Sequence, residues 1–220
     1  MKKIALFPGL LAALLLTAFF AKAPEPEMLT VFLIGDSTMA DKPGTPEVNP
    51  ERGWGQMLGE FFNEKVAVRN HAVNGRSSKS FIEEGRWATV LEALSPGDYV
   101  FIQFGHNDGK QEDPVRYANP YSAYRRNLEK YVHETRERGA FPVLLSSIVR
   151  RKFNEQGALL DTHGAYPFVT WSVARALAVP FIDLQVMTED RVAELGPERS
   201  KEVYLWLAPG QYERFPDGEQ

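Results

Sequence analysis

FLIGDSTMADKP, Phe32 to Pro43, continues an apolar run (Val31 to Ile34) straight into Gly35-Asp36-Ser37, and beyond Ser37 the hydrophobic pattern stops. A short, nearly continuous apolar run closed by a glycine reads as a strand buried on both faces of a sheet. The serine at its end is then either the cap of a following helix or a nucleophile held at the sheet rim. The other strand ends decide between these readings.

Five runs have strand character: Thr30 to Ile34, Val66 to Val73, Tyr99 to Phe104, Val143 to Ile148 and Val179 to Leu184. Helical spacing falls between and after them, over Trp54 to Asn63, Ile82 to Leu94, Tyr121 to Arg138, Pro167 to Ala178 and Thr188 to Leu195. Alternating strands and helices specify an α/β fold with a parallel sheet covered on both faces. In such a sheet ligands bind outside the carboxyl ends of the strands, where the strand order reverses.

Three loops there carry polar residues able to converge: Gly35-Asp36-Ser37, then Asn74-Gly75-Arg76-Ser77-Ser78, then Gly105-His106-Asn107-Asp108-Gly109. Acyl transfer needs a nucleophile and fixed donors about 3 Å from the developing oxyanion. Ser37 supplies the first. The N–H of Gly75, uncrowded by a side chain, and the neutral amide of Asn107 supply donors. Taken singly, Ser37 also reads as a cap, Gly75 as a turn glycine and Asn107-Asp108-Gly109 as a tight turn. Asp36 reads as shaping its loop, and Trp54 and Trp87 as core residues, with a sugar-stacking role open for Trp54.

The same motifs, with Gly53-Trp54-Gly55 between the first two, resemble the SGNH or GDSL hydrolase family, in its rhamnogalacturonan acetylesterase branch. The resemblance spans about residues 29 to 220. It implies a three-layer α/β/α sandwich of the flavodoxin-like kind, with a five-stranded parallel sheet in the order 2-1-3-4-5. It implies Ser37 as nucleophile, and the N–H of Ser37, the N–H of Gly75 and the side chain of Asn107 as the oxyanion hole. It also implies a carbohydrate O-acetylesterase needing no cofactor and no metal, acting on acetylated polysaccharide, with pectic rhamnogalacturonan foremost.

The family's base is a histidine in a late D-x-x-H motif, and none of the four histidines fits it. His71 falls in the second strand, His106 in the oxyanion loop and His133 on the surface of the long helix. His163, in Asp161-Thr162-His163-Gly164, stands two residues from its carboxylate and reads as a loop or substrate-side residue. His106 reads as orienting its loop or touching substrate. The chain closes on Pro216-Asp217-Gly218-Glu219-Gln220, about where the family's D-x-x-H block and a last covering helix begin. The expectation is a copy lacking both, its catalytic histidine and aspartate beyond Gln220, with apolar sheet surface uncovered and activity lowered.

At the other end, Lys2 and Lys3, the apolar Ile4 to Phe20 and Ala21-Lys22-Ala23 read as a secretory signal peptide over residues 1–23. One hydrolase domain would occupy 24–220, exported to the periplasm or beyond, and membrane-bound only if the leader stays uncleaved. Removing it lowers 25 basic residues to 22 against 29 acidic ones, so the formal charge moves from -4 to -7. An acidic exported chain without a basic block argues against nucleic acid as a partner. There are no cysteines, hence no disulfides and no thiolate nucleophile. Two rival functions stay open: a carbohydrate-binding protein that kept the cleft without its base, and a flavin or nucleotide binder using the Asn74 to Ser78 loop.

Overall fold

The computed structural model describes residues 28–219; the leader expected over 1–23 lies outside them. Five parallel strands form one sheet in the order β2-β1-β3-β4-β5: β1 Leu29–Gly35, β2 Val66–Asn70, β3 Tyr99–Gln103, β4 Phe141–Leu145 and β5 Phe181–Ile182. This is the expected α/β sandwich.

Alternation along β1 sends Phe32 and Ile34 to one face, where they join Val100, Ile102, Phe104 and Leu144 in the main core. Helices α2 (Ser78–Glu83), α3 (Arg86–Ala93), α4 (Arg125–Glu137) and α5 (Tyr166–Ala176) supply residues to that core. Val31 and Leu33 point to the other face, toward α1 (Trp54–Met57) and its 3-10 extension Leu58–Phe61. On that face Tyr99 and Phe101 stay half-buried, and Phe141 is 52% exposed.

Where elements depart from the sequence reading, a residue explains it. The helix expected over Ile82 to Leu94 is two helices, broken at Gly85 in the left-handed region (φ 72°). Before α4, Pro120–Tyr124 winds as a π turn. Strand β2 ends at Asn70 rather than Val73, so His71 lies just past it. The chain still runs alongside β1, with N–H donation from His71 to Leu33 (2.8 Å) and from Val73 to Gly35 (3.1 Å). Strand β4 starts two residues before the expected Val143 and includes Pro142. That proline is tolerated because Phe141 N–H donates to Asp98 on the β3 side, while β5 pairs only with Leu144 and Leu145. Strand β5 is cut short by Asp183, whose carboxylate caps α6 (Leu184–Arg199). Helix α6 extends beyond the expected Thr188 to Leu195 and breaks at Gly196-Pro197.

No helix follows Ser37 directly. Residues 37–40 form a turn in which Asp36 C=O accepts from Met39 and Ala40 N–H. The capping serine is Ser77, which forms a reciprocal capping box with Ser80 at the start of α2. The turn after β1 lies so tightly on α1 that Gly53-Trp54-Gly55 has a packing reason. A Cβ on Gly53 would meet Ala40 O at 2.1 Å, and one on Gly55 would meet Met39 O at 2.6 Å and Leu33 Cδ1 at 2.8 Å.

This contact predicts that Gly53→Ala lowers unfolding free energy by about 3 kcal/mol, at the upper end for overpacking because backbone is what must move. Gly85→Ala, where a Cβ meets nothing within 4 Å and only the backbone conformation objects, is expected to cost about 1–2 kcal/mol. Urea titrations of both variants test this. Equal losses would show that the Gly53 contact relaxes.

Candidate active site

The three loops meet at one rim because β1 lies between β2 and β3. Asp36, fully buried, bonds through Oδ1 with the N–H and hydroxyl of Thr38, each at 2.9 Å, and so shapes the turn that presents Ser37. Burial pushes its carboxyl up to about 6, against the lowering effect of those bonds. Gln103, at the end of β3, donates to Thr38 Oγ1 (2.7 Å) and accepts from Trp54 Nε1 (2.7 Å). Trp54 is thus half-buried structure that also borders the cavity, while Trp87 is a core residue whose indole N–H meets Glu134.

Gly75 sits at φ 77°, in the region that favours glycine, with open space where a side chain would stand. Asn107 is buried and donates one amide hydrogen to Arg76 C=O at 2.9 Å. A carboxamide has two N–H groups, so this bond fixes its plane and leaves a second donor.

Asp108, beside Asn107, ties the second and third loops together. Its carboxylate accepts from Ser78 N–H (3.0 Å), the Ser78 hydroxyl and Gly105 N–H (3.1 Å). Burial, opposed by the Ser78 bonds, raises it to about 7.

His106 and His163 face each other, Nδ1 to Nε2 at 3.0 Å, both buried. Burial is the first cause that drives each down to about 3, and the Arg150 guanidinium adds to it. Both rings are therefore neutral near pH 7, and among the described residues His106 Nε2 and His163 Nδ1 have no hydrogen-bond partner. Asp161 spends its carboxylate on the backbone N–H of His163 and Gly164. Arg150 braces the two loops, donating to Thr162 C=O (2.9 Å) and His106 C=O (2.8 Å). His71 stacks on Phe32, and His133 is exposed on α4.

Ser37, Thr38, Trp54, His106 and Arg150 line a cavity of about 560 Å³. Its far wall comes from α6 and from Val203 to Trp206. Four arginines (Arg52, Arg150, Arg151, Arg191) stand on the lining against two glutamates, Glu51 and Glu219. Gly75 and Asn107 do not line it but belong to the loops joined to that of Ser37 through Lys42 and Arg76, and His163 contacts His106. Among the described residues no cluster of three His, Asp or Glu is gathered to hold a metal ion.

Three residues here escaped the sequence reading. Lys42 lies buried between the first two loops. Arg150 and Arg151 follow β4 at the carboxyl end, a position that strand-end logic alone would have flagged.

Residues 33–207 match the GDSL-like Lipase/Acylhydrolase family. Rhamnogalacturonan acetylesterase RhgT of Bacillus subtilis (strain 168) is 44% identical over 190 residues, covering 86% of this chain and 79% of that protein. The probable rhamnogalacturonan acetylesterase YesY of the same strain is 36% identical, covering 80% and 78%. The crystal structure of Bacillus subtilis YxiM superposes with a TM-score of 0.71 at 25% identity, over 80% of this chain and 49% of that one.

Asp108 binds its proton more tightly folded than unfolded, so its contribution to stability is complete below its ordinary value of 3.8 and is lost as pH rises through about 7. The stability of wild type relative to Asp108→Asn is therefore expected to fall steadily from pH 4 to pH 8. Denaturant unfolding of both proteins across that range checks the sign. A pH-independent difference would mean that Asp108 titrates as it does in the unfolded chain.

Proposed function

The chain belongs to the GDSL-like lipase/acylhydrolase family, and from that premise we propose that it is an exported serine esterase removing O-acetyl groups from acetylated, acidic plant cell-wall polysaccharide. The observation that carries this reading is the convergence of three strand-end loops. Ser37 borders the cavity, Gly75 stands in open backbone, and the Asn107 amide is fixed on Arg76 between them.

Ser37 Oγ attacks the acetyl carbonyl, forming an Oγ–C bond as the C=O opens to an oxyanion, and the C–O bond to the sugar breaks when that oxyanion collapses. The oxyanion between these steps is held by the N–H of Ser37, the N–H of Gly75 and the Asn107 amide. The hydroxyl proton passes to the departing sugar oxygen, and water then hydrolyses the acetyl-enzyme to acetate. Nothing in these steps calls for a cofactor.

Proton transfer is where this chain is weak. His106 borders the cavity, yet its Nε2 bonds to nothing, and a ring held at about 3 is a poor base at neutral pH. Among the described residues no imidazole is hydrogen-bonded to Ser37, and a serine without such a partner turns over orders of magnitude more slowly than one in a complete triad.

The arginines on the lining favour a polysaccharide bearing carboxylates, such as pectic rhamnogalacturonan, over neutral xylan, because guanidinium groups pair with carboxylates in a fork geometry. The same features support a second reading, a protein that binds such glycans without cleaving them. Residues 1–23 are the proposed export leader, so N-terminal sequencing of exported protein should begin at Pro24.

Acetate release from acetylated rhamnogalacturonan, acetylated xylan and a small aryl acetate tests the main reading. Slow release above the buffer rate, faster on the acidic glycan and abolished by Ser37→Ala, is expected. Release unchanged in Ser37→Ala removes the nucleophile assignment. Salt-sensitive binding of the acidic glycan with no release from any substrate makes the chain a binding protein.

A further inference from the structure

We infer that Lys42 is a positioning residue of the oxyanion hole, its buried ammonium setting the Asn74-Gly75 turn against the carbonyl of Ser37. The inference rests on the reading of Ser37 and Gly75 just given.

The Lys42 side chain is 1% exposed. An ammonium stays buried only when paired and hydrogen-bonded, and this one fills its three donors. Nζ donates to Ser37 C=O at 2.6 Å and to Asn74 Oδ1 at 2.8 Å, and pairs with Glu51 Oε1 at 2.8 Å. One cation therefore links the nucleophile's own peptide to the residue just before Gly75.

The two sides of this link are not equally secured. Beyond Ser37 the first loop is held elsewhere: Trp54 N–H donates to Thr38 C=O (2.9 Å), Asn70 Nδ2 to Met39 C=O (2.8 Å) and Lys42 N–H to Gln56 Oε1 (3.0 Å). Asn74 is exposed and Gly75 is half-exposed with nothing packed where a side chain would be; within the turn Arg76 donates from its N–H to Val73 C=O and from its guanidinium to Asn74 C=O (2.9 Å), while the bond that ties the Asn74 side chain to the first loop comes from Lys42. The ammonium thus couples the position of the Asn74-Gly75 turn to the first loop. Two backbone N–H groups on different loops must point at one oxygen about 3 Å from each, and a misplacement of about 1 Å is enough to cost on the order of a hundredfold in rate.

The test uses the full chain and a small aryl acetate, with variants Lys42→Met and Asn74→Ala. Each is expected to lower kcat about tenfold or more with KM nearly unchanged. The double variant should fall no further than the worse single one, because both changes cut the same link. Asn74 is exposed, so its truncation keeps the test valid if Lys42→Met folds poorly. Hydrogen exchange supplies the readout independent of turnover: residues 73–76 should exchange faster in Lys42→Met, while 38–40 stay protected. Unchanged kcat, a rise in KM alone, or losses that add in the double variant would overturn the proposal.

Failure of the underlying reading looks different, as turnover that survives Ser37→Ala or is absent from wild type. In either case exchange decides about Lys42, and unchanged protection over 73–76 rejects the link.

Discussion

A carboxylate with no access to water holds the working end of this molecule together. Asp108 accepts from the backbone and hydroxyl of Ser78 and from the backbone of Gly105, so the helix start after β2 and the end of β3 share one acceptor. Charge in such a place is costly, and although three donors surround it, burial still raises its carboxyl to about 7. Asn127 extends the arrangement by donating to Ser78 Oγ, which brings α4 into the same network. The neighbouring Asn107 is carried by this scaffold and aimed by its own bond to Arg76 C=O.

The fold was legible because its signals are local and repeated. Nearly continuous apolar runs such as Val31 to Ile34 have few readings besides a strand covered on both faces, and breakers such as Ser95-Pro96-Gly97-Asp98 separate one unit from the next. Element boundaries were less legible because tertiary partners set them. Pro142 argues against a strand until one sees that its nitrogen faces the side where β5 has not begun, and Gly85 splits a continuous helical pattern by its backbone conformation alone. Ser77, named in the sequence only as part of the polar loop after β2, carries the cap that Ser37 does not.

The candidate site divides along the same line. Ser37, Gly75 and Asn107 were readable because loop position and residue type suffice to nominate them. Lys42 and the paired imidazoles were not, since their roles depend on partners 32 and 57 residues away in the chain. Lysine is ordinarily a solvated surface residue, and nothing in Asp41-Lys42-Pro43 announces burial. His106 and His163 each looked like an isolated ring; together they are a neutral pair walled by Arg150, a brace more than a proton acceptor.

Pro142 has a consequence for the protein in crowded solution. The open margin of a sheet is a template on which another chain can add a strand, and β5, which spans only Phe181 and Ile182, leaves the first residues of β4 without a strand partner on that side, although Pro142 and Val143 are buried by other elements. A residue without an N–H leaves a gap in that template at the position a newcomer would bond first. Phe141, beside it, is the exposed apolar residue of this stretch, and among the described residues no hydrogen-bonding row stands next to it on the β5 side. The same imino acid that blurred the strand in the sequence therefore leaves this end of β4 without a donor toward the side that β5 does not reach.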